Sequence, residues 1–481
     1  MYFVSIGLSF LFAWAVKAFD NNRFDNVFHS MIPLYWGQNS YGAGHSDTQN
    51  FQKRLSFYCN DNAIDVFPVA FLHVFFGTGG LPSVNLANTC NPTDNATFPG
   101  TTLPNCASLA SDITTCQSKG KIVTLSLGGA TGAVGFQSAS QATTFAQTVW
   151  DLFLGGRSST RPFGSAILDG VDLDIEGGTS AHYGTFINRI RSLAGNSGKK
   201  YYFTAAPQCV YPDAALGGVL NEVAFDAVYD RFYNNYCGLQ NFNQASNWNF
   251  GMWDHWARFV SVSRNTKVYI GSPASVSAAG SGHVDINTLS RIATQMRRSF
   301  PSFGGVMLWD ASQAYGKSRR CYANNRYDRA IKNALAAAGG TGFSYPGCSA
   351  PAYVSGRGYS AGSQVTFGGF IWQAKFFASQ QPASTPNGEW SAISVCSGGG
   401  TNPSPSPTVT TPRPGPTGGS CAGVGTWSSG SIYLGGDKAV YNGRLWTAKW
   451  WTQNDAPGGS VGVWEDNGAC AARVPRLIRE N

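Results

Sequence analysis

Eight short apolar runs, spaced by segments long enough for a helix, recur through residues 19–338 and constrain the fold more than any other feature. They cover 32–36, 65–72, 122–127, 170–175, 201–206, 225–233, 267–272 and 305–309. Each has the length of a strand and is apolar on both faces, as a parallel sheet covered by helices requires. Eight such units in roughly 300 residues predict an α/β fold, a (β/α)8 TIM barrel, with its working groups at the C-terminal strand ends. Polar and aromatic residues gather at those ends. Tyr35-Trp36-Gly37-Gln38-Asn39 closes the first run, Ser126-Leu127-Gly128-Gly129 the third and Asp172-Leu173-Asp174-Ile175-Glu176 the fourth. Gln208 follows the fifth, Tyr233-Asn234-Asn235 closes the sixth and Trp309-Asp310 the eighth.

Either side of this body the chain changes character. Residues 3–16 are apolar, and Val16-Lys17-Ala18 offers small residues for cleavage, so 1–18 reads as a signal peptide and the protein as secreted. The run is too short for a membrane anchor, and no other run is long enough to cross a bilayer. After a short joint at 339–347 come two Cys-bounded segments, 348–396 and 421–470. A linker of Pro, Ser, Thr and Gly separates them at 397–420, and a basic tail occupies 471–481. The two segments repeat: Tyr353 matches Trp427, Tyr359 Tyr433, Phe367 Tyr441, Trp372 Trp446, Phe376-Phe377 Trp450-Trp451, and Trp390 Trp464. They are expected to be two small disulfide-closed β modules. Adjacent Trp450 and Trp451 on a strand face opposite ways, so one is expected in solvent, where a flat indole suits a pyranose face.

Composition narrows the function. Charged residues are 12% and aromatics 14%, a balance suited to neutral ligands with flat apolar faces. The net charge of +8 comes with no basic run, which argues against nucleic acid. No Cys-x-x-Cys or His-Glu-x-x-His occurs, so no metal site is expected. The 11 cysteines suit an oxidising compartment and leave one unpaired.

Asp172, Asp174 and Glu176 alternate along a strand and therefore share one side of the sheet, while Leu173 and Ile175 face the helices. Three carboxylates in a row repel one another unless a proton is held among them, a poor arrangement for stability and a good one for general-acid catalysis. A calcium loop and a solvated face are the competing readings. The first lacks the Asp-x-Asp-x-Asp-Gly spacing, and the second conflicts with the apolar neighbours.

The series Asp169-Gly170-Val171-Asp172-Leu173-Asp174-Ile175-Glu176 resembles the Asp-x-x-Asp-x-Asp-x-Glu signature of family 18 glycoside hydrolases. The strand-end series above, with Ala205-Ala206-Pro207-Gln208-Cys209 and Val306-Met307-Leu308-Trp309, is similar to the hevamine-like (class III, plant and fungal) chitinase branch over about residues 29–337. The resemblance implies a chitinase that works with substrate assistance, an exception among retaining glycosidases. Glu176 would protonate the glycosidic oxygen, and the substrate's own acetamido oxygen would attack the anomeric carbon. Asp174 would orient that acetamido group, Asp172 would share charge or a proton with Asp174, and Tyr233 would donate to the acetamido oxygen. Trp309 would form an apolar floor, with Tyr35, Phe71, Gln208 and Arg231 lining the site.

No metal or organic cofactor is implied. The implied partner is chitin, and no nucleic acid, membrane or second subunit is expected. The implied disulfides are Cys59–Cys116, Cys90–Cys106, Cys209–Cys237, Cys348–Cys396 and Cys421–Cys470, leaving Cys321; Asn95 begins a glycosylation sequon.

The chain departs from the branch pattern at Arg231, where members usually carry Gln, so altered sugar contacts or pH optimum are expected. At Asp310 plant members usually carry Ser, and no role is assigned to it. The short connection between the seventh and eighth strands leaves no room for an insertion domain, which implies an open groove and endo-cleavage. Ala448-Lys449-Trp450-Trp451-Thr452 is similar to small chitin-binding modules, with Trp427, Trp450 and Trp451 as sugar-facing aromatics. The first module, with Phe376-Phe377 in that place, is expected to bind weakly or serve structure. A chitinase-like lectin and an endo-β-N-acetylglucosaminidase are the alternatives to a chitinase.

Overall fold

The computed structural model describes residues 30–195, 197–315, 326–339 and 342–397. Within 421–470 it describes 421, 424–429, 432–433, 437–448, 452–453, 455–459 and 463–470. The signal-peptide reading, nearly all of the linker, Cys321, Trp450, Trp451 and the basic tail lie outside the described residues.

The strands β1 (Val66–Val74), β2 (Ser83–Val84), β3 (Ile122–Gly128), β4 (Gly170–Asp174), β5 (Tyr202–Ala205), β6 (Ala227–Arg231), β7 (Lys267–Pro273) and β8 (Phe303–Trp309) form one sheet in the order β2-β1-β3-β4-β5-β6-β7-β8. All neighbours are parallel except β2, a short antiparallel addition to β1. Residues 31–36 close the ring. They bridge to Val66 and Val69 on one side and to Gly305 and Leu308 on the other, with Leu34 donating to the Val66 carbonyl at 2.9 Å. Pro33 has no N–H to give, so this eighth member is joined by separate bridges and not by a continuous ladder.

Alternation along the strands produces two cores. One side chain in two packs between sheet and helices. The other lines the barrel, where Met31, Tyr35, Val66, Ala70, Phe71, Ile122, Tyr202, Tyr229, Tyr269 and Met307 form a separate buried cluster. In β6, Ala227 and Tyr229 are inward, so Arg231 shares their parity and lies at the C-terminal rim. Among the described residues, no helix is long and apolar enough to cross a membrane.

The 348–396 module folds as an antiparallel sheet of β9 (Gln364–Phe367), β10 (Phe370–Ala374) and β11 (Trp390–Val395). The second module contains β12 (Ile432–Tyr433), β13 (Lys438–Tyr441), β14 (Arg444–Ala448), β15 (Thr452–Gln453) and β16 (Trp464–Ala469). The sequence repeat is a structural repeat. Trp372 Nε1 donates to the Phe367 carbonyl at 2.9 Å, as Trp446 Nε1 does to Tyr441 at 3.2 Å. The Val354 and Ser428 amides each donate at 2.7 Å to a tyrosine hydroxyl, of Tyr359 and Tyr433. All five implied disulfide pairs are present.

The first module is fused to the barrel. Phe370 packs beside His255 and Phe259, with the Arg258 guanidinium 5.4 Å from its ring centre. Ser391 and Ser394 donate to the Trp248 and Ser299 carbonyls at 3.3 and 3.4 Å. The helix Phe250–His255 comes so close that a Cβ on Gly251 would lie 2.1 Å from the Ala392 carbonyl oxygen. Gly251→Ala should therefore push the module off the barrel, costing about 1–3 kcal/mol as overpacking does. Thermal unfolding and protease cleavage at 339–347 would report it; an unchanged midpoint would show that the contact contributes nothing. Phe376 and Phe377 remain 50% and 64% exposed on this docked module.

Candidate active site

The carboxylates are set by β4 and its neighbours. Asp172 pairs in register with Ser126 of β3 and Thr204 of β5, which places two hydroxyls beside it. Ser126 and Tyr35 donate to Asp172 Oδ2 at 2.6 and 2.7 Å, and Thr204 donates to Oδ1 at 2.6 Å. Burial raises the Asp172 pKa, and these three hydrogen bonds oppose the rise. Asp172 thus accepts from hydroxyls of three segments, beside the Asp174 with which the sequence reading expects it to share charge or a proton. Asp169, of opposite parity, is tied to the Val123 amide at 2.8 Å and to Lys199 at 2.7 Å, away from the rim.

Asp174 lies at the rim, opposite Gly128. Gly128 has φ +115°, and a Cβ there would meet the Asp174 carbonyl oxygen at 2.2 Å, so the strand end needs glycine to keep its register. Burial lifts the Asp174 pKa well above the ordinary carboxyl value; the Arg231 charge opposes this, and the Glu176 and Asp172 charges add to it. Glu176 follows β4 and is the carboxylate open to solvent, with its side chain 29% exposed against 4% for Asp174.

Arg231 reaches both. Its Nη1 is 2.8 Å from Glu176 Oε2 and 3.4 Å from Asp174 Oδ1. Burial disfavours the guanidinium charge, but Asp174, Tyr233 and Glu176 outweigh it, so Arg231 is held protonated. The sequence reading expects this side chain to line the site and to alter sugar contacts or the pH optimum; opposite charge holds it against the carboxylates. Tyr233, two residues on, is 8% exposed, and burial raises its pKa against the opposing Arg231 charge.

Aromatic rings form the wall beside these groups. Trp309 stacks on Phe71 with centroids 5.9 Å apart and lies 5.5 Å from Tyr35. Gln208 is fixed by the Asn235 amide at 2.9 Å, and its own N–H donates to Asp213 at 2.8 Å. Tyr35, Phe71, Asp172, Asp174, Glu176, Gln208, Arg231, Tyr233 and Trp309 therefore converge on one end of the barrel. Asp310 does not join them. It is fully buried and accepts from Ser312 Oγ, the Ser40 amide and the Gln313 amide, fastening β8 to the loop after residues 31–36.

Sequence reasoning assigned no role to Ser126, Thr204, Asp213 or Asn235. Parity with the carboxylates was the available signal for the first two. Asn95 lies in the loop bounded by Cys90–Cys106, half-buried, with its Oδ1 accepting from the Asn91 amide at 3.0 Å. In the second module Trp427 is partly buried against a core of Ala439, Ala448, Val463 and Trp464.

The family model for glycosyl hydrolases family 18 matches residues 32–301, more than half of the chain. The chain belongs to this family. The model for carbohydrate-binding module family 5/12 matches residues 426–465, the second module. Curated relatives include "Chitinase 2" of Rhizopus oligosporus, 45% identical over 314 residues (65% of this chain, 54% of the relative). "Endochitinase" of Saccharomyces cerevisiae is 40% identical over 321 residues (66% and 53%). The family 18 chain thus spans about half the length of the curated relatives it matches.

Among solved structures, the ICChI chitinase of Ipomoea carnea superposes with TM-score 0.50 and 32% identity, over 63% of this chain and 99% of that one. The xylanase and alpha-amylase inhibitor protein XAIP-II of Scadoxus multiflorus gives 0.51 and 31%, over 63% and 98%.

Proposed function

We propose that the protein is a secreted endochitinase that cleaves β-1,4 bonds between N-acetylglucosamine units with retention. The observation that carries this reading is the division of labour among the carboxylates: Glu176 open to solvent at the rim, Asp174 buried behind it, and Asp172 fastened by three hydroxyls. Glu176 can reach a glycosidic oxygen in the groove and supply the proton it needs. Asp174, pressed towards neutrality by burial, can take a hydrogen bond from an acetamido N–H and gain from the positive charge that develops next to it. Asp172 holds the strand end still and is well insulated from solvent. The Trp309–Phe71–Tyr35 wall gives an apolar face for the distorted sugar. Requiring the substrate's own acetamido group explains a preference for chitin over cellulose. The relatives' names, "Chitinase 2" and "Endochitinase", agree with it.

A defined soluble N-acetylglucosamine oligomer tests the mechanism. The newly formed reducing end should appear first as the β-anomer, read by NMR before mutarotation. The inverted anomer would exclude substrate assistance.

The second module, which matches a carbohydrate-binding family, is read as a tether that keeps the enzyme near an insoluble polymer. Deleting 397–481 should lower the rate on solid chitin several-fold and leave the rate on soluble oligomers unchanged. Equal loss on both would exclude tethering.

One observation favours a second reading, a chitin-binding lectin that does not cut: the acid is ion-paired to Arg231.

A further inference from the structure

The carboxylate row is closed at its rim by a cation, and the geometry of that contact is at odds with the task of an acid. The Arg231 side chain is 7% exposed, and its Nε and Nη2 are buried without a hydrogen-bond partner among the described residues. A guanidinium placed this way lacks most of the partners its five donors can use. What holds it is Nη1, at 2.8 Å from Glu176 and 3.4 Å from Asp174. Asp174 Oδ1, although near, accepts no hydrogen bond among the described residues, so the hydrogen-bonded partner is Glu176. An ion pair engages a carboxylate; a general acid has to carry the proton.

The other ionisable groups around the pair do not relieve the conflict. From β4 come Asp172 and Asp174, from residues 31–36 Tyr35, and from the end of β6 Tyr233. From the loop after β5 comes Asp213, whose oxygens accept from the amides of Gln208, Ala215 and Leu216. All of these are acidic groups. Among the described residues, Arg231 is the cation that meets Glu176.

We propose that Arg231 is a latch on the acid: it holds Glu176 in an ion pair in the free protein, and a bound sugar chain has to release that pair before the glycosidic bond breaks. This rests on reading Glu176 as the proton donor. Once released, Glu176 takes a proton from solvent, with which it is in contact, and passes it to the leaving oxygen. Arg231 therefore acts through Glu176 and is a positioning residue. The latch assigns a cost to every turnover and gives the site a preference for chains long enough to displace the guanidinium.

The test compares the full chain with Arg231→Gln and Arg231→Met, which remove the charge in two different shapes, on soluble N-acetylglucosamine oligomers of two lengths. Circular dichroism checks folding, and if one variant fails to fold the other carries the same expectation. Removing the charge should raise kcat at neutral pH about tenfold, the scale of one charge-assisted hydrogen bond no longer broken at each turnover, and change KM by less than about twofold. The gain should be larger on the shorter oligomer. Hydrolysis by the wild type with kcat equal or lower in the neutral variants overturns the latch alone. No hydrolysis by any folded form, with oligomer binding intact, overturns the hydrolase reading and the latch with it.

Discussion

Glu176→Gln should lower kcat on soluble N-acetylglucosamine oligomers by about 10²–10⁴-fold, the range a positioned general acid contributes. The substitution is close to isosteric. A glutamine carbonyl can still accept from Arg231 Nη1, so the rim should keep its shape and the oligomer should still bind. What is lost is the proton. The glycosidic oxygen would have to leave as an alkoxide, since among the described residues the two other carboxyls of the row are buried and not placed to help. Asp174 is buried behind the acid, and Asp172 is sealed by Tyr35, Ser126 and Thr204. The measurement is kcat by reducing-end release, together with binding of the uncleaved oligomer by calorimetry. A variant that retains more than a tenth of the wild-type rate would assign the acid elsewhere.

Asp174→Asn should lower kcat by about 10²–10³-fold with KM nearly unchanged, as removal of one preorganised electrostatic partner does. The asparagine can still accept a hydrogen bond from an acetamido N–H, so ground-state binding should survive. The carboxylate charge that would offset the developing oxazolinium is gone. Asp174 is suited to that role because burial makes its charge costly at rest, and a neighbouring positive charge then stabilises it more than it would a group in water. Paired readings of kcat and KM decide the matter. A KM that rises in step with any fall in kcat/KM, at constant kcat, would make Asp174 a binding group only.

The docked position of the first module bears on both experiments. The module shares its core with the barrel through Phe370, Trp390 and Ala392, so a catalytic fragment cut at 338 would expose an apolar helix face around Phe250–His255. Activity should therefore be measured on chains that keep 348–396. The second module has its own small core and its own disulfide.

Much of this protein is set by local sequence. Period-two alternation places Asp172 and Asp174 on one side of β4, with Glu176 two residues on, and the apolar runs set eight parallel members, because both follow from backbone geometry within a single strand. The repeat of 348–396 in 421–470 likewise fixes matching strands and matching tyrosine and tryptophan hydrogen bonds. What local sequence leaves open is which residues meet across the barrel. Arg231 sits on β6, Glu176 follows β4, and β5 lies between them, so their ion pair depends on tilt and register summed over three strands. The same holds for the three hydroxyls on Asp172, which come from residues 31–36, β3 and β5. The docking of the first module turns on the missing side chain of Gly251, and nothing in the spacing of that helix shows that a neighbouring sheet needs the space. Strand parity gives the face each residue occupies; only closure of the barrel decides which partner stands there.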